Sequence, residues 1–338
     1  MKEALCFDDV LLVPKYSEIN SRNEVDISSS LDESEEFKFR LPIISSPMDT
    51  VTESEMASAM SKAGGLGILH RYNSIEEQVK LANNAKAFEV AAAIGVTGDY
   101  RERVHALHEA GVDIFCLDVA HGHHILVKNA LKYLKNNFSG VHFMAGNVAT
   151  LEGFEALAEW GADSIRVGIG GGSICSTRLV SGHGIPTFQS VLECAKTSHD
   201  VKIIADGGIK TSGDIVKAIA AGADFVMLGS MLAGTEETPG EVLSNTNGKK
   251  YKIYRGMASA AAQKNWRGKS STPEGVSTTI PYKGSVDFIL EDIAGGIRSG
   301  LSYSGCRSIK EFQARVDFIR QTSAGQLESN THILWRKK

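Results

Sequence analysis

Eight short apolar runs recur along the first two thirds of the chain: PIISS (42–46), LGIL (66–69), AAAIGV (91–96), DIFCLD (113–118), HFMAGN (142–147), SIRVGI (164–169), KIIADGG (202–208) and FVMLGS (225–230). They are uninterrupted rather than alternating, the pattern of strands covered on both faces in a parallel sheet. The stretches between them, EEQVKLANN, YRERVHALHEAG, LVKNALKYLKNN, LEGFEALAEWGA and SGDIVKAIAAGA, place apolar residues at helical spacing. Three junctions repeat one phrase: HEAGVDIFCLD, AEWGADSIRVG and AIAAGADFVMLG close a helix at Gly111, Gly161 and Gly222 just before the next strand. Glycine there fits a left-handed helix cap.

Strand and helix alternating through right-handed parallel crossovers predict a (β/α)8 barrel, a single domain over residues 1–338. An open doubly wound sheet is the alternative. The barrel makes a further prediction, because its chemistry collects at the C-terminal strand ends. Those ends read Met48-Asp49-Thr50, His70-Arg71, Asp118, Asn147, Asp206-Gly207-Gly208 and Gly229-Ser230, with VGIGGGSICSTR (167–178) after the sixth strand. Beyond the eighth strand, KKYKIYRGMASAAAQKNWRGKSSTPEGVSTTIPYKG (249–284) is polar and rich in Gly, Ser and Thr, and is expected as a long lid or substrate-binding loop. A helical pattern resumes at Val286 and runs out into TSAGQLESNTHI (322–333).

Composition narrows the class. With 338 residues, 42% of them hydrophobic, the chain can bury a sizeable core. A net charge of −4 gives no clustered basic excess, which argues against nucleic acid or an anionic membrane as partner and makes any anion site local. The five cysteines (Cys6, Cys116, Cys175, Cys194, Cys306) lack CxxC spacing, so reduced thiols and a cytoplasmic enzyme are expected. No stretch reads as a signal peptide or a membrane span.

Three motifs carry candidate chemistry. ADGG (205–208) and LGS (228–230), on adjacent strands, suit a phosphate held by backbone N–H groups, although glycines in either also serve tight turns. Cys175 sits in the glycine-rich loop among Ser173, Ser176, Thr177 and Arg178. N–H groups and a nearby guanidinium there would favour a thiolate nucleophile. The cluster His121, His123, His124 invites a zinc reading, but spacings of two and one do not aim three rings at one point, and a surface or pocket-lining role is preferred.

GIGGGSICSTR, SSPMDTVTE (45–53), AGNVAT (145–150), ADGGIKTSGDIVKAIAAGADFVMLGS (205–230), YRGM (254–257) and EGVSTTIPYKG (274–284) together resemble the IMP dehydrogenase/GMP reductase family. The resemblance runs from CFDDVLLVPK to the ES..H of the tail. It implies a phosphate-binding barrel assembled as a homotetramer, and a purine nucleotide monophosphate as ligand. Cys175 matches the nucleophile that attacks C2 of the purine, assisted by Thr177 and Glu274, the latter also at a base-contacting position. Ser173, Gly208, Gly229, Ser230 and Tyr254 match phosphate-binding positions, Asp206 matches the residue holding the ribose hydroxyls, and Gly207 is a further substrate contact. Ser46, Met48, Gly256, Met257, Ala258 and Gly275 complete the implied substrate contacts. Asp118, Val119, Ala120, Asn147, Arg166 and Gly168 fall on the nicotinamide side. The carbonyls of Gly170, Gly172 and Cys175 resemble a monovalent cation site, K+ by resemblance, with Glu328, Ser329 and His332 contributed by a neighbouring subunit. Gly171 stands where this loop usually has proline, and a more mobile loop is expected from it.

The family runs two reactions through one covalent purine adduct. A dehydrogenase passes hydride from IMP to NAD and then hydrolyses the adduct with an activated water, giving XMP. A reductase loses ammonia from GMP and then accepts hydride from NADPH, giving IMP. The dehydrogenases carry a mobile flap with an Arg-Tyr pair between YRGM and EG. Here that interval is only ASAAAQKNWRGKSSTP (258–273), with no Arg-Tyr pair and Trp266-Arg267 as the nearest approach. The regulatory CBS pair is missing as well, since HRYNSIEEQV runs on to AAAIGV, and CLDVAHG is similar to the reductase version. SSPMDTVTE, YRGM and SAGQLESNTH are closer to dehydrogenase sequence. The missing base favours the reductase, with IMP dehydrogenase using Arg267 as a displaced base the alternative, and a non-catalytic nucleotide sensor a third.

Overall fold

All eight apolar runs become strands of one closed barrel. The computed structural model describes residues 3–329 and 331. Three short strands come first: β1 (Val10–Leu12), β2 (Ser29–Ser30) and β3 (Lys38–Phe39). The barrel strands are β4 (Ile43–Ser45), β5 (Leu66–Leu69), β6 (Ala91–Ile94), β7 (Ile114–Asp118), β8 (His142–Val148), β9 (Ser164–Val167), β10 (Lys202–Asp206) and β11 (Phe225–Leu228). Between them lie α1 (Ser54–Ala63), α2 (Ile75–Asn84), α3 (Tyr100–Glu109), α4 (Ile125–Asn137), α5 (Leu151–Glu159), α6 (Thr177–Ser181), α7 (Thr187–Cys194) and α8 (Ser212–Ala220). Parallel pairing of β11 with β4, Val226 opposite Ile43 and Leu228 opposite Ser45, closes the sheet. An open doubly wound sheet would leave both of these strands as edges, so that alternative is excluded.

Both faces of the strands are buried, as the unbroken apolar runs require. Ile43 and Val226 pack outward under the helices, while their neighbours Ile44 and Phe225 fill the barrel interior. Leu31, Phe37 and Phe39, from the β2–β3 hairpin and the turn within it, join that interior cluster. The repeated junction works as its glycines suggest: Gly111, Gly161 and Gly222 have φ of +87°, +99° and +114°.

Residues 249–284 depart from the expected loop. β12 (Leu243–Ser244), β13 (Lys250–Arg255) and β14 (Ser277–Pro281) form an antiparallel sheet, and α9 (Ala260–Arg267) lies between the last two strands. The alternation in β13 is real but polar: Lys252 and Tyr254 are buried and Ile253 is exposed. Lys252 is accommodated because its Nζ donates to the carbonyls of Glu236 and Thr238, at 3.0 and 2.5 Å. After this insertion, α10 (Val286–Tyr303) packs on α8 and α1 and so supplies the barrel's eighth helix. The chain ends with α11 (Ile309–Arg315), β15 (Phe318–Arg320), which pairs antiparallel with β1, and α12 (Ser323–Glu328). No helix among the described residues is long and apolar enough to cross a membrane.

Candidate active site

A cavity of about 560 Å³ opens at the C-terminal ends of the barrel strands, floored by Asp118, Asn147, Asp206 and Gly229 and walled by the glycine-rich loop and β13. The loop is zipped to the segment that follows α9. Val276 N–H donates to the Ile174 carbonyl at 3.0 Å, Ser176 N–H donates to the Glu274 carbonyl at 3.0 Å, and Cys175 bridges Gly275. That pairing brings Cys175, Thr177 and Glu274, about a hundred residues apart in sequence, to one wall. The Cys175 thiol is exposed to the cavity and donates to Thr177 Oγ1 at 3.2 Å.

Arg178 is not beside the thiol. Its Nη2 donates to the Ile185 carbonyl at 2.8 Å, and its side chain lies over Gly170 and Gly184. The guanidinium braces the loop from behind, because the short helix α6 turns the residue after Thr177 away from the cavity. Gly171 lies in the same loop. A Cβ there would stand 2.6 Å from Thr187 Oγ1, so this glycine is closely packed against that side chain. Gly168, at φ +146°, leaves room for the Asp206 carbonyl, with which a Cβ would collide.

One polar corner of the cavity is made by tyrosine as well as glycine. Tyr254 is buried, and its hydroxyl lies against Ser173 and Ser230. A Cβ on Gly229 would meet that hydroxyl at 3.1 Å, Met48 Sδ at 3.2 Å and Ser46 Oγ at 3.5 Å, so residues from three segments converge there. Burial raises the Tyr254 pKa above its ordinary value, keeping the phenol a neutral donor.

A buried polar network lies beneath the opposite half. Arg166, on β9, donates through Nη1 to Asp118 Oδ1 at 2.7 Å and through Nη2 to Asp206 Oδ2 at 2.9 Å. Asn147 Nδ2 donates to the same Asp206 oxygen and to the Gly168 carbonyl, both at 2.8 Å. Burial opposes charge on Arg166, yet the neighbouring Asp206 and Asp118 carboxylates hold its pKa well above the usual value. Burial also pushes the Cys116 thiol up to about 11, so it meets Arg166 as a neutral S–H and the carboxylates balance the cation. Arg71, at the end of β5, donates to the Asp118 carbonyl at 3.0 Å.

Every catalytic, substrate-side and nicotinamide-side position expected from the sequence lines this one cavity, including Gly256, Met257, Ala258, Gly275, Val119 and Ala120. So do Gly170 and Gly172. Glu328 and Ser329 do not line it in their own chain: Ser329 Oγ is engaged with Gln321 and Gly325, and His332 lies outside the described residues. The three histidines serve separate ends. His124 Nδ1 caps α4 by accepting from Leu126 N–H at 3.1 Å, His123 packs on Trp160 at 5.8 Å, and His121 is 6.4 Å from the His123 ring.

Sequence reasoning missed Tyr72, Thr97, Leu126, Gln263 and Ser271, which also line the cavity. Gln263 carried no readable signal, since α9 itself was unseen. In the structure it ties α9 down, donating to the Ala258 carbonyl at 2.9 Å and accepting from Ser271 N–H at 2.9 Å. Trp266 stacks on Tyr72, and Asn265, with its amide oxygen turned to accept, takes the Arg255 guanidinium at 3.0 and 3.1 Å. Arg255 is in turn paired with Asp49 at 2.6 Å.

Comparison with known proteins places this geometry. A family model described as the IMP dehydrogenase / GMP reductase domain matches residues 4–332. An inosine-5'-monophosphate dehydrogenase of Nitrosopumilus maritimus is 34% identical, covering 98% of both chains. A GMP reductase of Leishmania major is likewise 34% identical, covering 98% of this chain and 97% of its own. An inosine-5'-monophosphate dehydrogenase of Cryptosporidium parvum is 38% identical over 98% of this chain and 95% of its own. Among solved structures, a cysteine-to-alanine variant of GMP reductase from Trypanosoma brucei, in complex with guanosine 5'-monophosphate, superposes with a TM-score of 0.93 at 33% identity, covering 98% of each chain. The alignment with the N. maritimus protein spans 471 positions against 338 residues here, so that relative carries residues this chain lacks. In this chain α2 alone joins β5 to β6.

Proposed function

The chain belongs to the IMP dehydrogenase / GMP reductase family of purine-nucleotide oxidoreductases, and from that premise we propose that it is a GMP reductase, converting GMP to IMP and ammonia at the expense of NADPH. The Cys175 thiolate adds to C2 of GMP. The C2 amino group takes a proton and leaves as ammonia, and after hydride reaches C2 the C–S bond breaks to release IMP. Thr177, 3.2 Å from the thiol, and Glu274, on the segment zipped to the same loop, are placed to pass that proton.

NADPH supplies the hydride when bound. Its nicotinamide end would be held by the half of the cavity formed by Asp118, Val119, Ala120, Asn147, Arg166 and Gly168. Asn147 Oδ1 is buried there without a partner among the described residues, an acceptor that a carboxamide N–H would satisfy. A monovalent cation, K+ by resemblance, would be held by the carbonyls of Gly170, Gly172 and Cys175. One of these, Gly172, already accepts Cys175 N–H at 3.1 Å. Three carbonyls are too few for such an ion, so this part of the proposal requires the homotetramer, with a neighbouring subunit completing the oxygen shell.

The observation that carries the reductase direction is the anchored interval between Met257 and Glu274. A dehydrogenase must bring a base to the adduct after the reduced dinucleotide has gone, and a positioned base contributes about 10²–10⁴-fold. Here the interval is one short helix, capped by the Ser259 side chain, ended at Gly268, and held by Gln263, Asn265 and Trp266. One observation favours the other direction. Arg267 lines the cavity, where it would serve an IMP dehydrogenase using NAD as the displaced base. Absorbance of reduced nicotinamide separates the readings. Loss of signal with GMP plus NADPH supports the reductase, gain with IMP plus NAD supports the dehydrogenase, and silence in both while GMP still binds supports a sensor.

A further inference from the structure

Among the described residues, Arg166 is the one cationic group paired with both of two carboxylates that serve different halves of the cavity. It comes from β9, whereas Asp118 ends β7 and Asp206 ends β10, and both carboxylates line the cavity on either side of it. The guanidinium is buried, and it spends one terminal nitrogen on each carboxylate, at 2.7 and 2.9 Å. Each carboxylate commits one oxygen to it. Asp206 Oδ2 takes both Arg166 and Asn147, and Oδ1 has no hydrogen-bond partner among the described residues. Asp118 Oδ2 has Arg71 Nε at 3.8 Å, too far for a hydrogen bond.

We propose that Arg166 couples the two halves, so that the charge on Asp118 sets how strongly Asp206 can accept hydrogen bonds from the ribose of a bound nucleotide. The physical reason is that one cation is shared in a site of low dielectric, where a charge-assisted bond gained on one side weakens the other. With Asp118 ionised, Arg166 is held between the two carboxylates and Asp206 keeps acceptor strength for the ribose. With Asp118 neutral, Arg166 turns its full charge on Asp206 and draws that carboxylate away from the ligand. A ligand that hydrogen-bonds Asp118 acts in the same sense as partial neutralisation, and by reciprocity a nucleotide on Asp206 changes the site at Asp118. Arg166 is here a positioning residue, distinct from any direct contact it makes with a dinucleotide. The inference rests on the nucleotide reading of the cavity and not on the direction of the reaction.

The test needs no turnover and no dinucleotide. In a Cys175→Ala background, the affinities of GMP and of ribose 5-phosphate are measured by calorimetry; the sugar phosphate lacks a base, so stacking cannot contribute. Asp118→Asn is expected to weaken both ligands by about five-fold or more, the lower end of ordinary site-to-site coupling. In an Asp206→Asn background the same Asp118 substitution is expected to change affinity less than about two-fold, because the coupled acceptor is gone. Arg166→Lys, which keeps the charge but cannot fork to two carboxylates, should likewise abolish the Asp118 effect. If the lysine variant does not fold, the Asp118/Asp206 cycle decides alone. Equal Asp118→Asn effects with and without Asp206, or no effect in either, overturn the coupling. Failure of GMP, IMP and ribose 5-phosphate alike to bind the Cys175→Ala protein overturns the nucleotide reading instead.

Discussion

Trp266 lies nearly parallel to Tyr72, with ring centroids 5.8 Å apart and 18° between the planes. Tyr72 follows β5 and Trp266 is one residue from the end of α9, so this stack joins the long insertion to the barrel rim. A stacked pair of this kind contributes about 0.5–1.5 kcal/mol beyond the area it buries. Trp266→Ala should therefore speed amide exchange across α9 and raise KM for the dinucleotide several-fold, with a smaller change in kcat. Unchanged exchange in α9 would show that Asn265 and Gln263 hold the helix without the stack.

The short Cys175 to Thr177 contact predicts two distinct losses. Cys175→Ala should lower turnover at least about 10³-fold, as loss of a nucleophile does, while leaving GMP affinity within a few-fold of wild type. Thr177→Val should slow turnover but keep alkylation of Cys175 by iodoacetamide, since the thiol remains exposed. An active alanine variant would remove the covalent mechanism.

Tyr254 supplies the test of the phosphate corner. Its hydroxyl faces Ser173 and Ser230, and burial keeps it protonated. Tyr254→Phe should weaken GMP by about 1 kcal/mol, the net value of one hydrogen bond, and leave guanosine binding unaltered. Equal losses for nucleotide and nucleoside would place the phosphate elsewhere.

A buried histidine and a partly buried aspartate near the opposite end of the barrel strands have opposing effects on stability. His142, bonded to Ser164 Oγ at 2.8 Å, has its pKa held down to about 4 by burial, from an ordinary 6.5. Between those values the unfolded chain binds more protons, so this group adds stability as pH rises and loses it as pH falls. Burial raises Asp224 to about 6 from 3.8, so between these values the folded chain binds more protons and this group loses stability as pH rises. Each effect is worth about 3 kcal/mol and they oppose across nearly the same window. Asp224→Asn should therefore steepen the gain in urea stability from pH 4 to pH 6.5; an unaltered slope would mean Asp224 ionises normally.

The cation part of the proposal is checked by exchange of salts. Activity in potassium chloride should exceed that in lithium chloride at equal ionic strength, and a tetramer should be found by light scattering. Equal activity in both salts would detach the loop carbonyls from any ion.

The barrel was legible in the sequence because a strand buried on both faces must be apolar at every position, and eight such runs with helical spacers admit few architectures. The strand-end residues were legible for the same reason: Asp118, Asn147 and Asp206 are polar where each run stops, and the fold sends those ends to one face. Cys175 stood out by its glycines, and its neighbours could be named by resemblance. The insertion was not legible, because β13 buries a lysine and a tyrosine and exposes an isoleucine, a pattern that makes sense only once the carbonyls of Glu236 and Thr238 are in place to receive Lys252. Nor could sequence tell that Arg178 turns away from Cys175, that Gly171 is packed against Thr187, or that one guanidinium on β9 reaches carboxylates on β7 and β10. Local pattern fixes which positions face a core or a strand end. Which charged groups share a proton donor is decided by the closure of the barrel, which sets strands from distant parts of the chain a few ångströms apart.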